Sequence, residues 1–139
     1  MKNIASIYRV EHFNAAHRLH NSQWSNEKNE MVFGKCNNLY YHGHNYELVV
    51  KVTGEIDAAT GYVMDAKLLS DLIKKYVLEE FDHKNLNKQV SYFQYLNPTA
   101  ENIARVIYDL LRKEIDSKLE IQIRLYETSK NFVEFPASK

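Results

Sequence analysis

The sequence predicts a single α+β domain, residues 1–139, in which two helices pack on one face of a four-stranded antiparallel β-sheet. Near both ends of the chain, apolar and polar residues alternate with a period of two, as they do in half-buried strands. The middle of the chain instead repeats apolar residues with the spacing of amphipathic helices. The predicted order of elements is therefore strand, strand, helix, helix, strand, strand.

The first predicted strand covers residues 4–19 and carries apolar side chains on both of its faces. Phe13 and His17 share one face, because residues two apart in a strand point the same way, whereas Val10 belongs to the other face. Apolar residues on both faces indicate a strand that is covered on both sides. We expect helices on one face and a partner subunit on the other. Residues 21–30 are polar and lack periodicity, which predicts a loop.

The second predicted strand, residues 44–52, alternates apolar and polar side chains along its whole length. Its apolar face also carries His42 and His44, so both imidazoles are expected at the end of a core-facing surface. A metal site that is shielded from water would lie at such a place.

Two amphipathic helices and two further strands complete the predicted domain. Asp65 is a suitable N-cap for the first helix, whose apolar stripe continues up to the polar residues 82–87, which predict a loop. The second helix begins around Pro98, because proline is favoured in the first turn of a helix. Alternating patterns predict the last two strands within residues 121–127 and 132–135.

The composition restricts the classes of partner and the cellular compartment. The 18 basic and 18 acidic residues give a formal net charge of zero, which provides no electrostatic argument for binding nucleic acid or an anionic membrane. A single cysteine excludes an intrachain disulfide. No apolar run has the length of a membrane-spanning helix, and no signal peptide is recognisable. We therefore expect a soluble cytoplasmic domain.

The stretch 36–46 contains the only cysteine and two of the six histidines of the chain. His42 and His44 share one face of their strand, and Gly43 between them allows a close approach to the backbone. Neutral imidazole is the commonest metal ligand in proteins. Together with His17, these histidines fit an open zinc site that keeps one position for substrate. A single histidine at a strand end, however, is more often structural.

Three further groups have both a structural and a functional interpretation. Cys36 is either a small buried apolar residue or a metal ligand or reactive thiol in a polar loop. Asp82 and His83 form either a helix-ending turn or a histidine that is oriented by a carboxylate and can relay a proton. Glu127 ends an apolar strand face, where it is either exposed to water or paired with a ligand that presents adjacent N–H donors.

Six motifs, which follow one another along nearly the whole chain, have counterparts in one known family. They are Phe13-Asn-Ala-Ala-His17-Arg-Leu, Cys36-Asn-Asn with His42-Gly-His44-Asn-Tyr46, Gly61-Tyr-Val-Met-Asp65, Phe81-Asp-His-Lys-Asn-Leu-Asn87, Asn97-Pro-Thr-Ala-Glu101-Asn and Tyr126-Glu-Thr. In these motifs the chain resembles the 6-pyruvoyl-tetrahydropterin synthase family, which includes the 6-carboxy-tetrahydropterin synthases of queuosine biosynthesis.

The resemblance implies the tunnelling fold, in which each subunit contributes a four-stranded antiparallel sheet and two helices. Three subunits close a barrel and two trimers stack, so the implied assembly is a homohexamer. Such a barrel would explain why the first predicted strand is apolar on both faces.

The resemblance also implies roles for nine residues and a substrate, 7,8-dihydroneopterin triphosphate. The implied roles are His17, His42 and His44 as Zn²⁺ ligands, Cys36, Asp82 and His83 as catalytic groups, and Glu127, Thr99 and Glu101 as substrate-binding groups. The expected activity is that of a carbon–oxygen lyase, which eliminates triphosphate and forms 6-pyruvoyl-tetrahydropterin.

Two other functions stay open from the sequence. One is the synthesis of 6-carboxy-5,6,7,8-tetrahydropterin for 7-deazaguanine formation, as in queuosine biosynthesis. The other is a non-catalytic pterin-binding or purine-binding module that keeps the metal for structure. Five residues separate Cys36 from His42, and the Cys-Asn-Asn start resembles the pyruvoyl-forming branch.

Overall fold

Five strands form one mixed β-sheet through the protein, which a computed structural model describes over residues 2–139. The strands are β1 (Ile4–His17), β2 (His42–Glu55), β3 (Lys84–Asn85), β4 (Glu120–Tyr126) and β5 (Phe132–Phe135). The helices are α1 (Asn26–Phe33), α2 (Ala66–Ile73), α3 (Glu79–Phe81), α4 (Leu86–Gln89) and α5 (Ala100–Arg112). The strand order is β3-β1-β2-β4-β5, and the α+β class is confirmed.

The strand number differs from the prediction, because the sheet has five strands rather than four. The additional strand β3 has two residues and pairs in parallel with Ala15 and Ala16 of β1, whereas the other pairs of strands are antiparallel. Two residues are too few to show an alternating pattern, so the segment was expected to be part of a loop. β1 also ends at His17 and not at residue 19.

The two longest strands, β1 and β2, form an antiparallel pair over fourteen residues each. Their register places His17 directly opposite His42, at the end of the pair that is distant from Ile4. A shift of one residue would move each side chain to the other face of the sheet, so this register determines which histidines can meet.

The hydrophobic core lies between one face of the sheet and the helices α2 and α5. Tyr46 and Leu48 of β2 are completely buried there, together with Leu69 of α2 and Ile107 of α5. Both helices therefore pack on the same face of the sheet, as predicted. A π-helical segment, Lys74–Leu78, joins α2 to α3 and continues one helical rod.

Side chains cap both core helices, at Asp65 as predicted and at Thr99, so that Pro98 precedes the second helix and does not lie in its first turn. The Asp65 carboxylate accepts a hydrogen bond from the Lys67 N–H at 2.9 Å, and the Thr99 hydroxyl accepts one from the Asn102 N–H at 3.2 Å. Such caps satisfy backbone donors that have no partner within the helix. The second helix thus begins immediately after Thr99.

The predicted loop at residues 21–30 is wrong in its second half, where α1 begins at Asn26. The Ser25 hydroxyl caps this helix, and the buried Asn29 side chain binds backbone groups of Asn21 on both its donor and its acceptor side. Because polar contacts rather than an apolar stripe hold α1, its sequence shows no helical periodicity. None of the helices in the described residues is long and apolar enough to cross a membrane.

The second face of the sheet has no covering layer within the described chain. Ile4, Tyr8 and Val10 of β1 point to this face and are 56%, 58% and 45% exposed, respectively. The expectation that a partner subunit covers this face stays a prediction.

Candidate metal centre and substrate cavity

Three histidine side chains converge at the end of the β1–β2 pair. His17 and His42 are opposite one another in the register, and His44 follows two residues later on the same face. One ring nitrogen from each lies within 4.8 Å of those of the other two. The ring centroids are separated by 4.5 to 5.1 Å, and the rings meet edge to face. The structure thus brings together the three histidines that the sequence singled out.

Each of these rings has one nitrogen that is buried and has no hydrogen-bond partner. The atoms are Nε2 of His17, Nδ1 of His42 and Nε2 of His44, and within residues 2–139 no other buried side-chain nitrogen or oxygen lacks a partner. An unpaired buried polar atom costs about 1–3 kcal/mol, so three at one point require a common explanation. A cation bound by all three nitrogens provides it, because imidazole nitrogen is a preferred ligand of divalent metals.

The backbone fixes the orientation of His17. Its Nδ1–H donates to the Pro98 carbonyl oxygen at 2.7 Å, so the lone pair is on Nε2, the nitrogen that faces the other histidines. Burial lowers the pKa of His17 to about 4, and burial also lowers the pKa of His42. Both rings are therefore neutral near neutral pH, which is the form that binds a metal.

Cys36 lies on a short 3₁₀ helix, Gly34–Asn37, and is partly buried. Its backbone carbonyl oxygen accepts a hydrogen bond from the Leu19 N–H at 2.8 Å. The Asn37 amide donates to the Leu19 carbonyl oxygen at 2.7 Å. These bonds connect the turn that carries the thiol to the two residues that follow His17.

The buried Tyr46 lies beside the histidine cluster. Its hydroxyl is 3.4 Å from Nδ1 of His17. Burial raises the pKa of Tyr46, and the charges of Glu127 and Cys36 raise it further. Tyr46 consequently remains a neutral phenol at ordinary pH.

The three predicted substrate-binding residues line one cavity of about 300 Å³ beside the histidines. Glu127 and Thr99 contribute to its wall together with Glu101 in the first turn of α5. Oε1 of Glu127 is 3.5 Å from Nε2 of His44, although the pair lacks the geometry of a hydrogen bond. The Glu127 carboxylate therefore connects the wall of this cavity to the histidine cluster.

Asp82 and His83 occupy a different position. The Asp82 carboxylate accepts hydrogen bonds from the Asn14 N–H at 2.9 Å and contacts Nδ1 of His83 at 3.0 Å. The hydrogen bond from Asn14 is the main reason that the pKa of Asp82 is lowered. The His83 side chain is 82% exposed. In the described chain, no hydrogen bond or ion pair joins either residue to Cys36 or to the three histidines.

Two residues, Pro98 and Asn37, contribute to the site although the sequence does not indicate their roles. Pro98 orients His17 through its carbonyl oxygen, a group that every residue possesses. Asn37 positions the turn of Cys36 and lies within the Cys-Asn-Asn motif, but an asparagine in a loop is common. Only the position of Asn37 beside the cysteine could have suggested its role.

Comparison with known proteins places these residues in a family. The profile of the 6-pyruvoyl tetrahydropterin synthase family matches residues 6–138. A 6-pyruvoyl tetrahydrobiopterin synthase from Poecilia reticulata is 46% identical over 94% of this chain and 88% of its own length. A 6-carboxy-5,6,7,8-tetrahydropterin synthase from Rickettsia conorii is 33% identical over 91% of this chain and 95% of its own length.

A solved structure agrees with the sequence comparison. The 6-pyruvoyl tetrahydropterin synthase of Caenorhabditis elegans superposes with a TM-score of 0.92 and 37% sequence identity, over 99% of each chain. The resemblance seen in the six motifs thus extends over the whole fold. This chain belongs to the 6-pyruvoyl tetrahydropterin synthase family.

Proposed function

We propose that the protein is a zinc-dependent carbon–oxygen lyase that converts 7,8-dihydroneopterin triphosphate into 6-pyruvoyl-tetrahydropterin and triphosphate. The observation that carries this proposal is the convergence of three unpartnered ring nitrogens, of which that of His44 is 3.5 Å from Glu127 in the wall of a cavity. The 46% identity to a 6-pyruvoyl tetrahydrobiopterin synthase supports the same activity.

His17, His42 and His44 would hold the Zn²⁺ ion through the three unpartnered nitrogens. Three nitrogen ligands leave a zinc ion one open position, as in catalytic zinc sites. Bound there, zinc would supply Lewis acidity towards the side-chain oxygens of the substrate and so acidify the neighbouring C–H groups.

Cys36 is the proposed acid/base that removes these protons and returns them at another carbon. Its partly buried turn is joined to the segment that follows His17 by the hydrogen bond from the Leu19 N–H, which supports this role. Because the protons move within the substrate and triphosphate leaves with its bonding electron pair, the reaction needs no external hydride carrier.

Glu127 is the proposed anchor of the pterin ring. A carboxylate accepts two parallel hydrogen bonds from adjacent N–H groups, which the pterin edge presents. Thr99 and Glu101 line the same cavity and are proposed to contact the ring as well. This placement directs the side chain of the substrate towards the histidines, because Glu127 is next to His44.

Asp82 and His83 are the proposed second acid/base pair, in which the carboxylate orients the imidazole. Since neither residue contacts Cys36 within one chain, this role requires a neighbouring copy. We propose a cytoplasmic homohexamer, a dimer of trimers, in which the open edges of the sheet join and its uncovered face turns inwards. The exposed apolar residues of β1 support this arrangement.

The decisive experiment is to incubate the zinc-loaded protein with 7,8-dihydroneopterin triphosphate and to identify the products by mass spectrometry. We expect 6-pyruvoyl-tetrahydropterin and one triphosphate per turnover. A 6-carboxy product with release of acetaldehyde would instead assign the activity named for the Rickettsia relative. Binding of the pterin without any turnover would indicate a non-catalytic module.

A further inference from the structure

A second cavity, of about 800 Å³, lies across the segment that follows His17 from the cavity that contains Glu127. Its wall consists of residues 18 and 20–24, Tyr41, Asn87 and Phe93–Pro98, with Phe33 at one side. No aspartate or glutamate is among them, although the chain has 18 acidic residues. The charged and polar groups of this wall are therefore basic or neutral, which is the character of an anion site.

Arg18 provides a guanidinium group with unused donors. Its Nε–H donates to the Asn37 carbonyl oxygen at 2.9 Å, which holds the side chain in place. Its two terminal amino groups make no hydrogen bond within the described residues. A fixed guanidinium with free N–H groups can bind phosphate through two parallel hydrogen bonds.

His20 provides a further donor, and its tautomer follows from its neighbour. The side-chain NH₂ group of Asn37, which can only donate, contacts Nδ1 of His20 at 2.8 Å. The proton of the neutral imidazole is therefore on Nε2, which has no partner within residues 2–139. The ammonium group of Lys88 lies 5.0 Å from the ring centroid of Tyr41, which belongs to the wall of the cavity, although Lys88 itself does not.

This cavity and the cavity of Glu127 share a wall that contains the immediate neighbours of the metal-binding histidines. Arg18 and His20 face the larger cavity, whereas Leu19 between them lines the smaller one. Likewise, Pro98 lines the larger cavity and Thr99 lines the smaller one. The two cavities therefore lie on opposite sides of the segment that directly follows His17.

We infer that the larger cavity is the subsite for the triphosphate group of the substrate, with Arg18 and His20 as its donor groups and Lys88 as a nearby positive charge beside Tyr41. This inference rests on the proposed function. When the bond from the substrate carbon to the bridging oxygen breaks, its electron pair stays on the triphosphate while the base takes the C–H proton. The leaving group gains negative charge at this point, and the guanidinium of Arg18 stabilises that charge.

The test is calorimetric titration of the zinc-loaded protein with inorganic tripolyphosphate, with inorganic phosphate as a comparison. We expect tripolyphosphate to bind more tightly than phosphate. Arg18→Gln should weaken the binding of tripolyphosphate about tenfold or more. Lys88→Gln should weaken tripolyphosphate binding less, because Lys88 contacts Tyr41 of the wall but does not itself line the cavity. Arg105→Gln, which removes an exposed arginine outside this cavity, is the matched control and should bind as the wild type does.

Binding of 7,8-dihydroneopterin, which has no phosphate, separates a local effect from a loss of folding. This binding should be unchanged in Arg18→Gln. If that variant does not fold, the same measurements are made on Lys88→Gln and His20→Gln. Equal affinity of the wild type for phosphate and tripolyphosphate, or wild-type binding by these variants, would overturn the subsite even where the product is formed. Arginine-dependent binding of tripolyphosphate without turnover would instead reject the proposed function and leave an anion site.

Discussion

The two ring nitrogens of His17 have separate tasks. Nδ1 donates to the Pro98 carbonyl oxygen, and this bond leaves Nε2 unprotonated and directed at the other histidines. Hydrogen bonds of this kind usually orient metal-binding histidines and fix their tautomer. His17 is also completely buried, so a charged imidazole is disfavoured there. A residue that resembles an ordinary core histidine is thus prepared to bind a cation.

Removal of one of the three histidines should abolish metal binding. We expect His42→Ala to lower the zinc content from about one ion per subunit to near zero, because two imidazoles hold zinc much more weakly than three. Inductively coupled plasma mass spectrometry of the dialysed protein measures this content. His12→Ala is the matched control, since His12 is exposed on the opposite face of β1 and should leave the zinc content unchanged. Full occupancy in His42→Ala would contradict the site.

Cys36 should affect the rate without affecting the metal. Three nitrogens already provide the ligand set, so Cys36→Ala is expected to retain zinc and to lose turnover by a factor of about 10²–10⁴, the usual contribution of a positioned acid/base. Single-turnover kinetics and metal analysis on the same sample measure both quantities. A loss of zinc in Cys36→Ala would mean that Cys36 is a metal ligand. Unchanged turnover in this variant would exclude Cys36 as the proton carrier.

Among the elements, α1 depends on one buried amide more than on apolar packing. Asn29 is completely buried, and its side chain satisfies the N–H and C=O groups of Asn21 and also donates to the Ser25 carbonyl oxygen. An amide of this kind organises the loop that forms part of the larger cavity. The polar sequence of the helix gives no indication of how tightly it is held.

We expect Asn29→Ala to lower the free energy of unfolding by about 1–3 kcal/mol, because it leaves buried backbone groups without partners. Urea titration, followed by circular dichroism, measures this difference. Asn26→Ala is the matched control within the same helix, since Asn26 is exposed, and it should change the stability little. Equal midpoints for both variants would show that the Asn29 hydrogen bonds do not stabilise the fold.

The elements that could be predicted are those with a long periodic pattern. Such a pattern is present in β1, β2, α5 and the helical rod that begins after Asp65. The alternation along β2 correctly placed His42 and His44 on the core face. β3 and α1 could not be predicted, because two paired residues have no period and a helix held by polar contacts has no apolar stripe. The register that brings His17 opposite His42 is likewise a tertiary property.

For the whole molecule, the uncovered face of the sheet is the main unexplained surface. The apolar residues Ile4, Tyr8 and Val10 lie along one strand of that face. Both outer strands, β3 and β5, have free edges within the described chain, and such edges can pair with another chain. His83 is exposed and makes no contact with Cys36, so its proposed catalytic role would also require a second copy.

A charge on this face should therefore separate the subunits and stop turnover without removing the metal. We expect Val10→Glu to shift the mass seen by sedimentation velocity from a hexamer towards a monomer, since burying an unpaired carboxylate in an apolar interface is costly. Leu68→Glu is the matched control: Leu68 is 51% exposed on α2, on the helical side of the sheet. The dissociated protein should keep its zinc, because all three histidines belong to one chain, and should lose activity, because Asp82 and His83 would no longer reach a substrate. A monomeric Val10→Glu protein with full activity would show that one chain suffices and that this pair has no part in the reaction.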